Sequence, residues 1–382
     1  MNRGDTIKIE KIEIIPVTLP FAGHVSSSSA GTAVGTWEIC RFVLLKIYTD
    51  EGITGIGEVP PWIKVGKESQ ASIVGTIQNY LAGELIGEDP FNMEKIWQKM
   101  DAAAPENTMA KTPIDLALYD IIGKALDVPV YKLIGGKVRG QIPLCGIVGF
   151  GSLKDTMQLV ELWLSAGYRT IRLKIGMGLD KDKEVLKTAR KTVGSAVKLR
   201  VDANQAYRPK DAVKIIKILE EYDLEFVEQP VAGCDYEGLK YVKESVNTPI
   251  MPHESLYDIR DAKRLIEMQA VDLLGLKMDR PGGLTNARTA YKLAELFNLP
   301  CTVISSVELG ISTSVSMMLA ASLKTLEFAC EASGSMAIAD DVVKTPLVIE
   351  NGNATVPSGV GLGIELDDEK VAKYREKIIT CK

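Results

Sequence analysis

The sequence predicts an α/β protein: a TIM-type (β/α)7-8 barrel with an α+β N-terminal domain. Three observations predict it. From residue 142 onward, strand-like runs alternate with helix-like runs over roughly 200 residues, enough for such a barrel. Charged or polar residues close successive strand-like runs at a steady interval. Lys174, Asp202, Glu228, His253 and Lys277 follow one another at spacings of 28, 26, 25 and 24 residues, one strand plus one helix per step. Before residue 138 the pattern differs, with long strand-like runs followed by helices, as an α+β unit would show.

In chain order, residues 8–19 and 41–49 read as strands, and EGITGIGEV continues the second past a turn. The Gly-, Ser- and Ala-rich stretch between them has the composition of a connector, or of a lid over a pocket. Helical patterns follow at ESQASIVGTIQNYLAGELIG, MEKIWQKMDAA and TPIDLALYDIIGKALD, the last with its start predicted at Thr112-Pro113. A glycine- and charge-rich stretch marks a boundary near residue 138. Eight strands are then expected, at IPLCGIV, IRLKIG, LRVDAN, EFVEQP, PIMPHE, LLGLKMD, CTVISS and LEFACE. The eighth helix is weak, since SMAIADDVV is short. The domains expected are an N-terminal α+β unit over 1–138, a barrel over 139–345, and a tail over 346–382 that returns to the N-terminal unit.

The chain has 382 residues, is 46% hydrophobic and 25% charged, and carries a net charge of −5 with both signs mixed. That is ordinary globular material without an electrostatic footprint for nucleic acid. No apolar run is long enough to span a membrane, and the N-terminus lacks a signal core. The six cysteines are scattered without paired spacing, which predicts reduced thiols and a cytoplasmic protein. With only His24 and His253, a His-rich zinc site is excluded.

In IRLKIG, Arg172 and Lys174 share a strand face. Alone, the pair reads as solvated surface charge. The downstream strand ends change that reading, because barrel active sites lie where the strands end. Asp202 and Glu228 on adjacent strands converge on one point and suit a hard cation such as Mg²⁺. Lys174 and Lys277, on strands two and six, flank it. A lysine takes a proton from carbon only when partly neutral, and neighbouring positive charge, from Arg172 and a divalent metal, favours the neutral form. The metal also stabilises the enediolate left when a proton departs beside a carboxylate.

AKTPIDLALYDIIGKAL, IRLKIG, VDANQAY, VEQP, PIMPHES, GLKMDRPGG, VELGIST and GVGLGIELD, in this order, resemble the enolase superfamily, in its mandelate racemase/muconate lactonizing enzyme family, over nearly the whole chain. Enolase-superfamily sites pair a Lys or His base with Mg²⁺. The resemblance implies Lys174 and Lys277 as acid/base lysines, Asp202 and Glu228 as metal ligands, and Glu308 as support for the second lysine. It implies that the N-terminal unit and the C-terminal tail together form an α+β capping domain on the barrel, and that the loops Phe21 to Gly35 and Pro60 to Ser69, with His24 in the first, shape specificity. Strand eight, ACEASG, is closer to the cycloisomerase pattern than to the Asp-x-Asp of dipeptide epimerases, and Glu331 falls on its Glu. A homo-oligomer is implied by analogy.

Two departures stand out. The first residue of the strand-two pair is usually Lys and here is Arg172, which keeps the charge. The third metal position, usually the Asp of Ala-Asp-Glu-Ser, is here His253 in Pro-His-Glu-Ser. Three alternatives stay open: His253 ligates, which would suit Mn²⁺ better than Mg²⁺; Glu254 substitutes; or the metal is weakened or absent. Asn204 reads equally as a contact to metal-linked water or a helix cap. Cys145 and Cys330 read as core residues. Asp279 and Arg280 are expected to pair with each other at the rim.

Three functions compete for this site. One is an isomerase acting on a small carboxylate, as racemase, epimerase or cycloisomerase. A second is a lyase that expels a β-leaving group from the same enediolate. The third is a barrel that binds a carboxylate without turnover.

Overall fold

The structure, a computed structural model, describes residues 7–22 and 39–382. The first loop expected to shape specificity falls largely outside these residues, and His24 lies outside them altogether.

Three antiparallel strands open the chain: β1 (Ile9–Leu19), β2 (Cys40–Thr49) and β3 (Thr54–Val59). Their β-branched and aliphatic residues bury both faces of the sheet. Gly52, at φ +75°, makes the turn between β2 and β3. The helical stretch from Gln70 to Leu85 is interrupted by a π-turn at Ile77–Leu81, and its start is closed by a capping box between Ser69 and Ser72. Helix Met93–Ala103 lies where the pattern placed it.

Helix Thr108–Ala125 starts four residues earlier than predicted, and Pro113 sits inside it. The extra turn is held from outside the helix. Glu68 Oε1 accepts from the Met109 amide at 2.9 Å, and the Thr112 hydroxyl donates to the Asp279 carbonyl at 2.7 Å. This helix lies flat on β3 because Gly57 has no side chain; a Cβ there would stand 1.8 Å from the Pro113 carbonyl oxygen.

The barrel follows. A parallel sheet runs β5 (Cys145–Val148), β6 (Thr170–Lys174), β7 (Lys198–Asp202), β8 (Leu224–Glu228) and β9 (Ile250–Met251). A parallel pair, β10 (Leu274–Leu276) and β11 (Cys301–Val303), continues it. The Asp272 amide bonds the Ile250 carbonyl at 2.9 Å and joins the two groups. Amphipathic helices alternate with these strands, their apolar stripes turned to the sheet.

The eighth strand is shorter than expected. Lys324, Thr325 and Glu327 stay exposed, and only Ala329 to Glu331 enter the barrel wall. They close it by bonds from Cys330 N to Pro143 O, Cys145 N to Cys330 O, and Glu331 N to Val303 O, at 2.8, 2.8 and 2.9 Å. The helix after it is only Gly334–Ala337.

In the tail, β12 (Ile349–Glu350) and β13 (Asn353–Thr355) pair with each other, and β13 pairs with β4 (Gln141–Pro143). The last strand, β14 (Ile379–Cys381), adds to β1 of the first sheet.

Two buried carboxylates tie the first sheet and its helices to the barrel. Glu58 of β3 accepts from the amides of Leu309 and Ser312, at 2.6 and 3.0 Å, at the start of helix Gly310–Ser322. Asp115 accepts from the Trp97 indole and the Thr285 hydroxyl, at 2.9 and 2.6 Å. Each supplies an acceptor to donors that would otherwise be buried alone.

Candidate active site at the barrel mouth

The register of the parallel sheet sets Lys174, Asp202 and Glu228 in one row, each opposite the next. A register shift in β8 between the Leu199 and Val201 pairings places Glu228 in that row. Asp202 and Glu228 are fully buried, and the Arg172 and Lys174 side chains are each 10% exposed. Solvated surface charge is therefore not what IRLKIG carries. These ions are buried and must be paired.

Lys174 Nζ lies 2.5 Å from Asp202 Oδ2 and also bonds Asn204 Oδ1. Arg172 Nη1 reaches Glu228 Oε2 at 3.2 Å and Glu331 Oε1 at 3.1 Å. Burial pushes the Asp202 carboxyl up, but the Lys174 ammonium and then Arg172 outweigh it, and the net shift is downward. Burial, and then repulsion from Asp202, push Glu228 up to about 8. Burial works against the charged form of Arg172, and Glu331, Glu228 and Asp202 together overcome it.

Beyond β9 the chain leaves strand geometry, so His253 and Glu254 need not point to opposite faces. His253 Nδ1 lies 3.0 Å from Glu254 Oε2 and 3.7 Å from Glu228 Oε1. Glu254 Oε1 accepts from Asn204 Nδ2 at 3.0 Å. Asn204 is thus a bridge between Lys174 and Glu254, and it caps no helix: the next one, Pro209–Leu219, has Arg208 at its N-cap. Burial, then Lys277 and Arg280, hold the His253 ring well below the usual imidazole range, so it is neutral.

The expected Asp279–Arg280 pair does not form. Arg280 turns inward, 1% exposed, and donates to the His253 carbonyl at 2.6 Å, with Nη2 3.2 Å from His253 Nε2. His253 offers the Arg280 guanidinium two acceptors, the backbone carbonyl to Nη1 and ring Nε2 to Nη2.

Lys277 stands one residue past β10, 7% exposed. Nζ donates to Ser306 Oγ at 2.7 Å and the Ser305 carbonyl at 3.0 Å. Burial, then Arg280, lower its pKa to about 8. Glu308 reaches it only through these serines, with Oε2 accepting from Ser305 Oγ at 2.6 Å and the Ser306 amide at 2.7 Å. Burial pushes Glu308 up to about 7. Val307, at φ +61°, holds the turn in a conformation β-branched residues avoid. The Trp62 indole, from the second of the two expected specificity loops, donates to the Ser306 carbonyl. His253 feels the charges of both Lys277 and Lys174, so the two lysines share one electrostatic field.

Among the described residues no three carboxylate, imidazole or thiolate groups stand ready to coordinate an ion as they are. The chain's own cations hold the facing oxygens of Asp202 and Glu228. Of the four oxygens of Asp202 and Glu228, Glu228 Oε1 is buried without a hydrogen-bond donor, as are Glu331 Oε1 and Glu308 Oε1 nearby. Asp202 and Glu228 supply buried carboxylate oxygens side by side, the donor chemistry a divalent cation requires, and a bound cation would displace the proton that burial keeps on Glu228, so the residues fit such an ion.

Sequence reasoning missed Ser305, Ser306 and Arg280 as members of this group. The available signal was position, since all three lie just beyond the strands that carry Lys277 and its neighbour. It also missed Arg200, fully buried inside the barrel against Glu225 at 2.6 Å. Cys145 and Cys330 are buried, and burial pushes their thiols up to about 12 and about 11, as suits core residues.

Residues 21–135 match the mandelate racemase / muconate lactonizing enzyme N-terminal domain, and residues 155–371 the enolase C-terminal domain-like family. An L-Ala-D/L-Glu epimerase of Clostridium acetobutylicum is 34% identical over 90% of this chain and 97% of its own length. The N-succinyl Arg/Lys racemase structure from Bacillus cereus superposes with a TM-score of 0.92 at 26% identity, covering 98% of this chain and all of the other. The dipeptide epimerase of Enterococcus faecalis, complexed with Mg and L-Leu-L-Tyr, gives 0.87 at 32% identity, covering 94% and 99%.

Proposed function

As the chain belongs to the enolase superfamily, in its mandelate racemase and muconate lactonizing enzyme branch, and is an isomerase of that superfamily, we propose that it inverts the carbon α to a carboxylate by proton transfer between Lys277 and Lys174. The observation that carries this reading is the placement of the lysines. They rise from the second and sixth strands of the barrel, on opposite sides of its mouth, with the Asp202–Glu228 row between.

Lys277, with its pKa lowered to about 8, has a sizeable neutral fraction near neutral pH and acts as base. Its lone pair takes the Cα proton, and the C–H electrons become the π bond of an enediolate. Lys174, an ammonium held by Asp202, delivers a proton to the opposite face. The net change is inversion at carbon, and solvent takes the proton gained by Lys277 and returns one to Lys174. The reverse direction exchanges the two roles.

Asp202, Glu228 and one member of the His253–Glu254 pair would hold a divalent cation, which when bound lowers the cost of the second negative charge on the substrate carboxylate. Mg²⁺ is the ion proposed, in keeping with the Mg complex of the Enterococcus epimerase. The substrate class is a small carboxylate whose α-nitrogen is acylated. Dipeptides and N-succinyl amino acids, named for the relatives, both belong to it.

A lyase reading has one observation in its favour: Glu308, held at about 7, is partly protonated near neutral pH and suits an acid for a leaving group.

The test is incubation with Mg²⁺ in D₂O, read by NMR, across N-acyl amino acids, dipeptides, hydroxyprolines and muconates. Loss of the Cα–H signal with appearance of the second stereoisomer is expected. A keto acid product would establish the lyase instead, and a lactone the cycloisomerase. Ion and carboxylate binding without turnover of any candidate would leave only a binding barrel.

A further inference from the structure

We infer that Arg280 locks His253 in the Nδ1–H tautomer and thereby makes Glu254, not His253, the third oxygen or nitrogen donor beside Asp202 and Glu228. The ligand half of this inference rests on the cation site proposed above; the tautomer half stands on the protein alone.

A guanidinium only donates. Arg280 grips His253 twice, at the backbone carbonyl and at ring Nε2, and is almost fully buried. Nε2 must therefore present its lone pair to Arg280. In a neutral ring the proton then sits on Nδ1, where Glu254 Oε2 accepts it at 3.0 Å. Both contacts are satisfied by one tautomer and by no other.

Nδ1 is also the nitrogen that faces the carboxylate row, 3.7 Å from Glu228 Oε1. To ligate a cation it would have to shed its proton to Nε2. That would set an imidazole N–H against a guanidinium N–H in a buried space, or else demand an imidazolate. Glu254 has no such obstacle. Its two oxygens accept one bond each, from Asn204 Nδ2 and from His253, and each keeps lone-pair capacity. Asn204 also accepts from Lys174, which holds Asp202, so Glu254 is tied to the row through one side chain. His253 becomes a donor that orients the ligating carboxylate, and Arg280 a positioning residue behind it. The ligand set is then all oxygen, which removes the reason to expect Mn²⁺ over Mg²⁺.

The chain's two histidines make this directly observable. In ¹⁵N-histidine-labelled, metal-free protein carrying His24→Gln, a single imidazole remains. It is expected to show a protonated Nδ1 and a bare Nε2, and Arg280→Met to shift the ring toward the other tautomer, with Arg280→Lys restoring it. An Nε2–H ring in the otherwise intact protein overturns the inference, whatever the variants do. On titration with Mg²⁺, Glu254→Gln is expected to weaken affinity by about 100-fold or more and His253→Asn by about tenfold, within the range seen for outer partners. The opposite ranking overturns the ligand assignment, as does a directly bonded nitrogen in the pulsed EPR of the Mn²⁺-loaded protein. Failure of both ions to bind removes the proposed function and the ligand assignment together, while the NMR result still decides the tautomer.

Discussion

Arg172 and Glu331 meet inside the barrel mouth, Nη1 to Oε1 at 3.1 Å, with the carboxylate fully buried. The contact spans from β6 past β5 to the closing segment of the wall. It pairs the acid at the end of strand eight with a cation of the protein, so a cation of the substrate would have to compete there with Arg172.

Substrate choice should reflect this. An amino acid with an uncharged acyl group on nitrogen is expected to give a kcat/KM about tenfold or more above that of a dipeptide with a free terminal ammonium, since an ammonium left unpaired in a buried site costs at least that much. Steady-state kinetics on matched pairs check it. A preference for the free ammonium would show that Glu331 exchanges partners.

Removing the guanidinium should cost stability. Arg172→Met leaves Glu228 and Glu331 buried without their shared counter-charge, and a loss of about 3–5 kcal/mol is expected. Arg172→Lys retains the charge and should lose about 1.5–3 kcal/mol, the size of a hydrogen bond to a charged group. Denaturant melts of the metal-free protein separate the two. Equal stabilities would mean Arg172 is not what neutralises this cluster.

The pH dependence follows from Lys277. Its pKa is lowered to about 8 in the folded protein, below the usual lysine value of about 10.4. The direction of reaction that uses Lys277 as base should quicken tenfold per pH unit below about 8 and level off above it. The opposite direction, which needs the ammonium, should slow above the same point. Folding stability follows the same group. Between about 8 and about 10.4 the unfolded chain binds the extra proton, so this contribution is fully present above the higher value and is lost as pH falls through the lower. Profiles of kcat in both directions check the first claim, and melts across that window the second.

The seat of helix Thr108–Ala125 on β3 depends on Gly57. In Gly57→Ala the new methyl would lie 1.8 Å from the Pro113 carbonyl oxygen, a rigid backbone atom. A destabilisation of about 1–3 kcal/mol or more is expected, as for overpacking generally. A thermal melt unchanged from the parent would mean the helix can lift away freely.

Much of this architecture was legible because strand and helix periods differ and repeat. The row Lys174, Asp202, Glu228 could be read from spacing alone, since one β/α step returns the chain to the same rim. Three things were not legible. The start of helix Thr108–Ala125 depends on Glu68, forty residues away, capping an amide that local propensity leaves bare. The shortness of strand eight depends on which residues stay exposed, not on their β-propensity. And the Arg280 contact with His253 joins two barrel loops that are 27 residues apart in sequence, where Asp279 next door offered an easier but wrong partner.

Two amines that act on opposite faces of one carbon divide its two enantiomers between them. The direct measurement is the loss of the Cα proton to D₂O from each separate enantiomer of a substrate, with Lys174→Ala and Lys277→Ala beside the parent. The parent is expected to exchange both enantiomers, and each variant to lose exchange of one enantiomer by about 10²–10⁴-fold while still exchanging the other. Loss of the same enantiomer in both variants, or undiminished exchange in either, would mean that Lys174 and Lys277 do not serve opposite faces.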